Sequence, residues 1–369
     1  MGAVGFNAMT GKTSFAEMLN ITYTVYNPSG TKLLTESLTQ FWTNAGVSGI
    51  DSSNIALDPR ILFDKNSGRW FASSVDKNGP GLALSNDILV AVSNTGDPTG
   101  TWTGHSIPIK SPSAPPLELG DFDTLGIDGA GVFVSADVRD RNNNYMGNTF
   151  LTINKSDLIN GILTMGQVAT TMTGGFAAQP VVDPTSNSMF PPEFVLGIPD
   201  PSANTTSSSL TLSTITGSIT SPSLNSVASV PVNPFNNPTP APQRYGKTPI
   251  DVDSMGPDIS SNVIQTKDNK TGDNELWAVQ TVLDSDPTVN HDVIRFVRID
   301  ADKGTLIQQK IIGSLTTAFY DPSIAVNSSG QVLIGFSGSG PNDQEALNTF
   351  ALLRLPESAP QATAFTLVL

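Results

Sequence analysis

The chain has 369 residues, 38% hydrophobic and 14% charged, with 32 glycines, 27 prolines and no cysteine. This apolar content fills one large core or several small ones in series, and the turn-rich composition without Ala/Glu/Lys/Leu runs excludes a helical protein. A formal net charge of −14 argues against nucleic acid as a partner, and the missing thiols exclude disulfides and thiolate metal sites.

Only two histidines, His105 and His291, leave little room for an imidazole-held zinc. No run of about 18 apolar residues occurs, so no membrane span is expected. The chain enters patterned sequence directly at Met1-Gly2-Ala3-Val4-Gly5. With its acidic, Ser/Thr/Asn-rich character, this reads as the mature form of a secreted or cell-surface protein.

In chain order, a first unit runs through Phe15 to Leu19, Ile21 to Tyr26, the turn Asn27-Pro28-Ser29-Gly30, and Lys32 to Leu38. A strand–turn–strand phrase then recurs: Asp58 to Asp64, Lys65-Asn66-Ser67-Gly68, Arg69 to Ser73. It returns as Asp121 to Ile127, Asp128-Gly129-Ala130-Gly131, Val132 to Ser135, and as Asp321 to Val326, Asn327-Ser328-Ser329-Gly330, Gln331 to Phe336. Weaker copies open at Gln179 and Asp258. Each is followed by a second strand pair, and the openings at 58, 121, 179, 258 and 321 lie roughly sixty residues apart. Four-stranded units repeated in this way, each too small to bury its own faces, predict an all-β, six-bladed β-propeller, with five or seven blades as alternatives. The predicted blades are 2–45, 55–110, 119–171, 176–232, 256–315 and 318–369 of a single domain, with a Pro/Asn-rich insertion at 231–243 read as a surface loop.

In a propeller the first strand of every blade lines the channel, so the opening residues Asp58, Asp121, Gln179, Asp258 and Asp321 are expected at one mouth. Asp123, Asp251 and Asp253 lie close in sequence. The long connections Asp76 to Asp87, Asp137 to Asn148, Asp284 to Asp292 and Gly338 to Asn348 emerge on the same face, where function usually resides. Crowded carboxylates either hold a cation or acquire raised pKa values. The candidate catalytic acids are Asp58, Asp121, Asp258 and Asp321 for glycosidic-bond chemistry. Asp121, Asp123, Asp251 and Asp253 are candidate ligands for Ca2+, since oxygen-only donors favour calcium or magnesium, and no organic cofactor is expected. Arg60, Gln179, Tyr320, Trp42, Tyr145 and His291 are the candidate substrate-binding residues. Trp42 is read as an exposed stacking platform, whereas Trp70 and Trp277 fall inside strand patterns and read as core.

Ser93-Asn94-Thr95-Gly96-Asp97-Pro98-Thr99-Gly100-Thr101-Trp102 resembles the Asp-box of sialidases and related propellers, with two extra residues between Ser93 and Asp97. The resemblance implies a structural turn between a blade's third and fourth strands, away from catalysis. The sialidase Arg-Ile-Pro phrase is absent, and Arg60-Ile61-Leu62 is the nearest approach, so sialidase activity itself is not expected. Asp58 to Ser73, Ala91 to Gly100 and Tyr320 to Asn327 are similar to phrases of large uncharacterised secreted bacterial propeller proteins. The expected function is a carbohydrate-active hydrolase or lyase acting on a polysaccharide or glycan at the acidic mouth. The alternative is a non-catalytic carbohydrate- or protein-binding surface module.

Overall fold

The computed structural model describes residues 1–78, 86–110, 119–140, 142–171, 175–183, 192–200, 206–250, 256–284, 291–342, 348–354 and 365–368. The protein is nearly all β. Six antiparallel meanders of four strands follow one another, the blade repeat of a six-bladed β-propeller. Blade 1 is β1 (Gly2–Asn7), β2 (Lys12–Leu19), β3 (Thr22–Tyr26) and β4 (Lys32–Ser37). After helix α1 (Leu38–Asn44), blade 2 is β5 (Asn54–Asp64), β6 (Arg69–Asn78), β7 (Asp87–Ser93) and β8 (Trp102–Pro108). Blade 3 is β9 (Leu119–Ile127), β10 (Gly131–Arg139), β11 (Tyr145–Asn154) and, after helix α2 (Lys155–Ile159), β12 (Met165–Thr170). Blade 4 is β13 (Phe176–Val182), β14 (Glu193–Ile198), β15 (Ser207–Ser218) and β16 (Ser221–Asn236). Blade 5 is β17 (Val263–Lys267), β18 (Asn274–Asp284), β19 (Asp292–Asp300) and β20 (Thr305–Ile312), and blade 6 is β21 (Ala318–Val326), β22 (Val332–Ser339), β23 (Asn348–Arg354) and β24 (Phe365–Val368).

The chain divides into two compact units. One is Met1–Gly174 with Val182–Glu193 and Thr214–Asn225; the other is Gly175–Val181, Phe194–Ser213 and Ser226–Leu369.

Strand composition follows position in the blade. β10 and β19 are buried along almost their whole length, apolar residues such as Val132, Val134, Ile294 and Phe296 alternating with buried polar ones such as Ser135, Asp137, Arg295 and Arg298. At the edge of blade 1, β4 carries Lys32 and Glu36 and stays largely exposed, which keeps an open edge from pairing with other chains.

In the first unit, Tyr23, Phe41, Trp42, Trp70 and Trp102 form one apolar core, and Leu62, Phe71, Val90, Leu125, Val134 and Leu151 another. Gly5 has no alternative in β1: a Cβ there would stand 2.3 Å from the Trp70 ring. The turn after β7 is tied into the first of these cores. Ser93 Oγ accepts the Trp70 amide at 2.9 Å and donates to the Thr95 carbonyl. The Asp97 carboxylate takes the Thr99 amide and hydroxyl. The Gly96 carbonyl accepts Trp70 Nε1, and the Pro98 carbonyl accepts both Trp102 Nε1 and Tyr23 Oη.

Two expectations are corrected here. Trp42 is no exposed platform. The Ser37 hydroxyl caps α1 by accepting the Gln40 amide, and the helix lays Phe41 and Trp42 into the core, with Trp42 Nε1 donating to Ser74 Oγ at 3.1 Å. Residues 231–236 are strand rather than loop. Val230, Val232 and Phe235 are buried, and Phe235 pairs with Asp284, so apolar burial overrides the Pro/Asn composition.

Candidate active site

A backbone irregularity that no residue type announces marks the first strands. The register of β5 with β6 slips between Leu57 and Arg60, and that of β21 with β22 between Tyr320 and Ser323. The pairings of β9 with β10 and of β13 with β14 slip at the corresponding places. Each slip holds a non-glycine residue with positive φ: Asp58 at 51°, Phe122 at 52°, Ala177 at 48° and Asp321 at 50°. An L-residue in this region costs roughly 1–3 kcal/mol, and bulges of this kind re-aim side chains next to functional sites. The bulges also fix the equivalences between blades. Asp58 and Asp321 occupy the same position, which Phe122 takes in blade 3, so that Asp121 stands one residue before it.

In the first unit, the bulges of β5 and β9 bring four charged residues into one electrostatic group. Asp58 is half-buried. Burial pushes its carboxyl above the ordinary carboxylate range, the Asp121 charge pushes it further, and the Arg60 charge and hydrogen bonds from the Phe122 amide and Asn20 pull it back. Asp121 pairs with Arg139 Nε at 3.0 Å and keeps its side chain 42% exposed. Arg60 is buried. Its Nε donates to the Asp123 carbonyl at 2.7 Å, and its guanidinium lies 5.0 Å over the Phe122 ring. Asp123 is fully buried, accepts the Ser73 hydroxyl, and is pushed up to about 8 by burial, against the pull of Arg60. Burial thus biases Asp123 toward its neutral form, and the group sets the carboxyls of Asp58 and Asp121 beside the cations Arg60 and Arg139.

Behind Asp121, Asp137 of β10 pairs with it in register, and Asn148 of β11 donates to Asp137 at 2.7 Å. Tyr145 Oη donates in turn to Asn148 Oδ1 at 2.7 Å. Tyr145 is half-buried and stands at the outer end of this polar row.

The other expected site residues lie in the second unit and are placed differently. Gln179 is fully buried and donates to the Ile259 carbonyl at 2.7 Å. It satisfies backbone of blade 5 instead of presenting an amide to ligand. Gln179→Ala is expected to lower stability by about 1–3 kcal/mol in denaturant titration, since that carbonyl loses a buried partner. Asp258 is buried too, beside Pro257, whose carbonyl accepts Gln280 Nε2. Asp321 is exposed, with its amide donating to Thr281 Oγ1 at 3.1 Å and its carboxyl raised by desolvation. Tyr320 is buried with Ala241 and Ala318 and donates to Ser339 Oγ at 3.2 Å, so it is not a surface contact. The Nε2 of His291 donates to the Ser314 carbonyl. Asp251 and Asp253 lie outside the described residues. Among the described residues no three His, Cys, Asp or Glu side chains gather as a metal site. Asp300 to Gly304 is a hairpin turn in which Asp300 accepts the Lys303 amide and ammonium.

No family model and no curated protein matches the chain. Among solved structures, a protein of unknown function from Dyadobacter fermentans is 11% identical, with 86% of this chain and 84% of that one covered and a TM-score of 0.45. A Hadza microbial sialidase is 12% identical over 93% of this chain and 65% of its own, at a TM-score of 0.48. An α-L-arabinanase of Cellvibrio cellulosa, solved with arabinohexaose, is 9% identical over 100% and 94%, at 0.42. Likeness at this level carries no argument about what the chain does.

Proposed function

We propose that Asp58 and Asp121 form the reacting pair of a secreted glycoside hydrolase, with Asp58 as the acid and Asp121 as the base or nucleophile. One observation carries this reading. Two electrostatically coupled carboxyls stand in opposed surroundings, one half-buried and pushed toward its protonated form, the other ion-paired with Arg139 and open to solvent. Cleavage of a glycosidic bond needs that division: a carboxylic acid to protonate the departing oxygen, and a carboxylate to assist attack at the anomeric carbon. Asp123, biased by burial toward its neutral form, adds no full third charge to the pair. The arrangement favours a hydrolase over a lyase, because Arg60 and Arg139 are already engaged by the protein's own groups and a lyase needs a cation facing the substrate carboxylate.

The test is a panel of neutral and acidic polysaccharides, assayed for new reducing ends and for unsaturated products. Release of reducing ends without unsaturation is the expected result. A polysaccharide retained in affinity electrophoresis, with none in the panel cleaved, overturns the enzymatic reading in favour of a binding module. Unsaturated products overturn the hydrolytic reading.

A further inference from the structure

We infer that Asn20, in the turn between β2 and β3 of blade 1, is a positioning residue that holds the strained backbone of Asp58 in blade 2 and so sets where its carboxyl stands. The inference rests on the reading of Asp58 as the acid and deepens it.

The bulge that aims Asp58 also takes its amide out of the β5–β6 ladder, because the pairing lapses between Leu57 and Arg60. An unmatched amide on a residue held at φ 51° adds to the cost of the strain unless a partner is supplied. Asn20 supplies it, with its Oδ1 accepting the Asp58 amide at 2.7 Å. The Asn20 side chain also favours the ionised form of the Asp58 carboxyl. One planar group thus holds the backbone of Asp58 and acts on its charge. A carboxylate in its place keeps an acceptor for the amide but sets a like charge beside the acid.

The same device recurs. Asn86, buried in the connection between β6 and β7, donates to the Gly120 carbonyl at 2.8 Å and accepts the Gly120 amide at 2.8 Å, beside Asp121. In the second unit Thr281 takes the amide of Asp321, the bulge equivalent of Asp58. In each case a side chain from one blade grips the opening of the following blade's first strand. Asn20 stands apart in acting on the acid itself as well, favouring its ionised form.

The test reads Asp58 directly. The intact protein, carrying 13C-labelled aspartate, is titrated by NMR, with the Asp58 resonance assigned from its loss in Asp58→Asn. In Asn20→Asp the acceptor for the strained amide is kept while a second carboxylate faces Asp58, and its titration midpoint is expected to rise by about one pH unit or more. In Asn20→Ala a rise is also expected, with a lower melting temperature. A midpoint in Asn20→Asp equal to that of the wild type overturns the inference and leaves Asn20 as an ordinary turn residue, and this variant decides the matter even if Asn20→Ala does not fold. Because the readout needs no substrate, a protein that cleaves no glycan but shows the shift removes the functional reading and leaves this one standing.

Discussion

In Asp123→Asn, the decline in stability that Asp123 imposes on the wild type between about pH 4 and pH 8 is expected to vanish. The sign follows from the two ends of the titration. Unfolded, the carboxyl loses its proton near the ordinary aspartate value of about 3.9; folded, it keeps the proton to about 8, because the group is fully buried. Between those limits the native state binds the extra proton. Stability therefore falls as pH rises, by about 1.4 kcal/mol per pH unit and on the order of 6 kcal/mol in all. Below the unfolded value the penalty is absent; above the folded value it is complete. Asparagine copies the shape of the neutral acid, with its carbonyl receiving the Ser73 hydroxyl and its amide taking the place of Asp123 Oδ1, which has no hydrogen-bond partner. The raised carboxyls of Asp76, Asp128 and Asp321 tilt both proteins alike, so the difference between them reads Asp123 together with its coulombic coupling to Asp58. Denaturant titrations at pH 4, 6 and 8 measure it, and parallel curves would show that Asp123 is ionised in the native state.

The second large effect separates the two carboxyls by role. Asp121→Asn is expected to lower turnover by ~10²–10⁴-fold on every substrate, since no leaving group compensates for a missing base or nucleophile. Asp58→Asn is expected to lose as much on a polysaccharide, but under tenfold on an aryl glycoside whose phenolate departs without protonation. Wild-type activity should decline on the alkaline side as Asp58 gives up its proton, at a pH above the ordinary carboxylate range, and that limb should disappear in Asp58→Asn. Equal losses on both substrate types in both variants would assign the roles wrongly. No loss in either would remove the pair from the chemistry.

The blade repeat was legible because it is written in residue types: acid, apolar strand, Gly/Asn turn, apolar strand with aromatics, as at Asp58 to Ser73. The burial of Trp70 and Trp277 followed from the same alternation. The bulges were not legible. Positive φ is usually announced by glycine or asparagine, and here it falls on aspartate, phenylalanine and alanine, so the repeat of acids places Asp121 one position from the structural equivalent of Asp58. Arg60 and Gln179 look like ligand contacts in sequence because they are polar at a strand opening; in the fold they satisfy the Asp123 and Ile259 carbonyls. Trp42 was misread because its helix is only seven residues long, too short for its apolar spacing to register against the surrounding strands. Asn20 and Asn86 carry no repeat signal, since each lies in a connection whose length varies from blade to blade.

The turn after β7 decides where this polypeptide tolerates being opened. Its carbonyls at Gly96 and Pro98 receive three ring donors, Trp70, Trp102 and Tyr23, drawn from two blades. A nick or new terminus there would strand those indoles and that phenol in an apolar interior. Among the described residues, the hairpin around Asn27 to Gly30 is stitched to itself, through Asn27 Oδ1 and the amides of Ser29 and Thr31. Circular permutants and inserted reporter domains therefore belong at that hairpin and not at the more conspicuous glycine-rich turn.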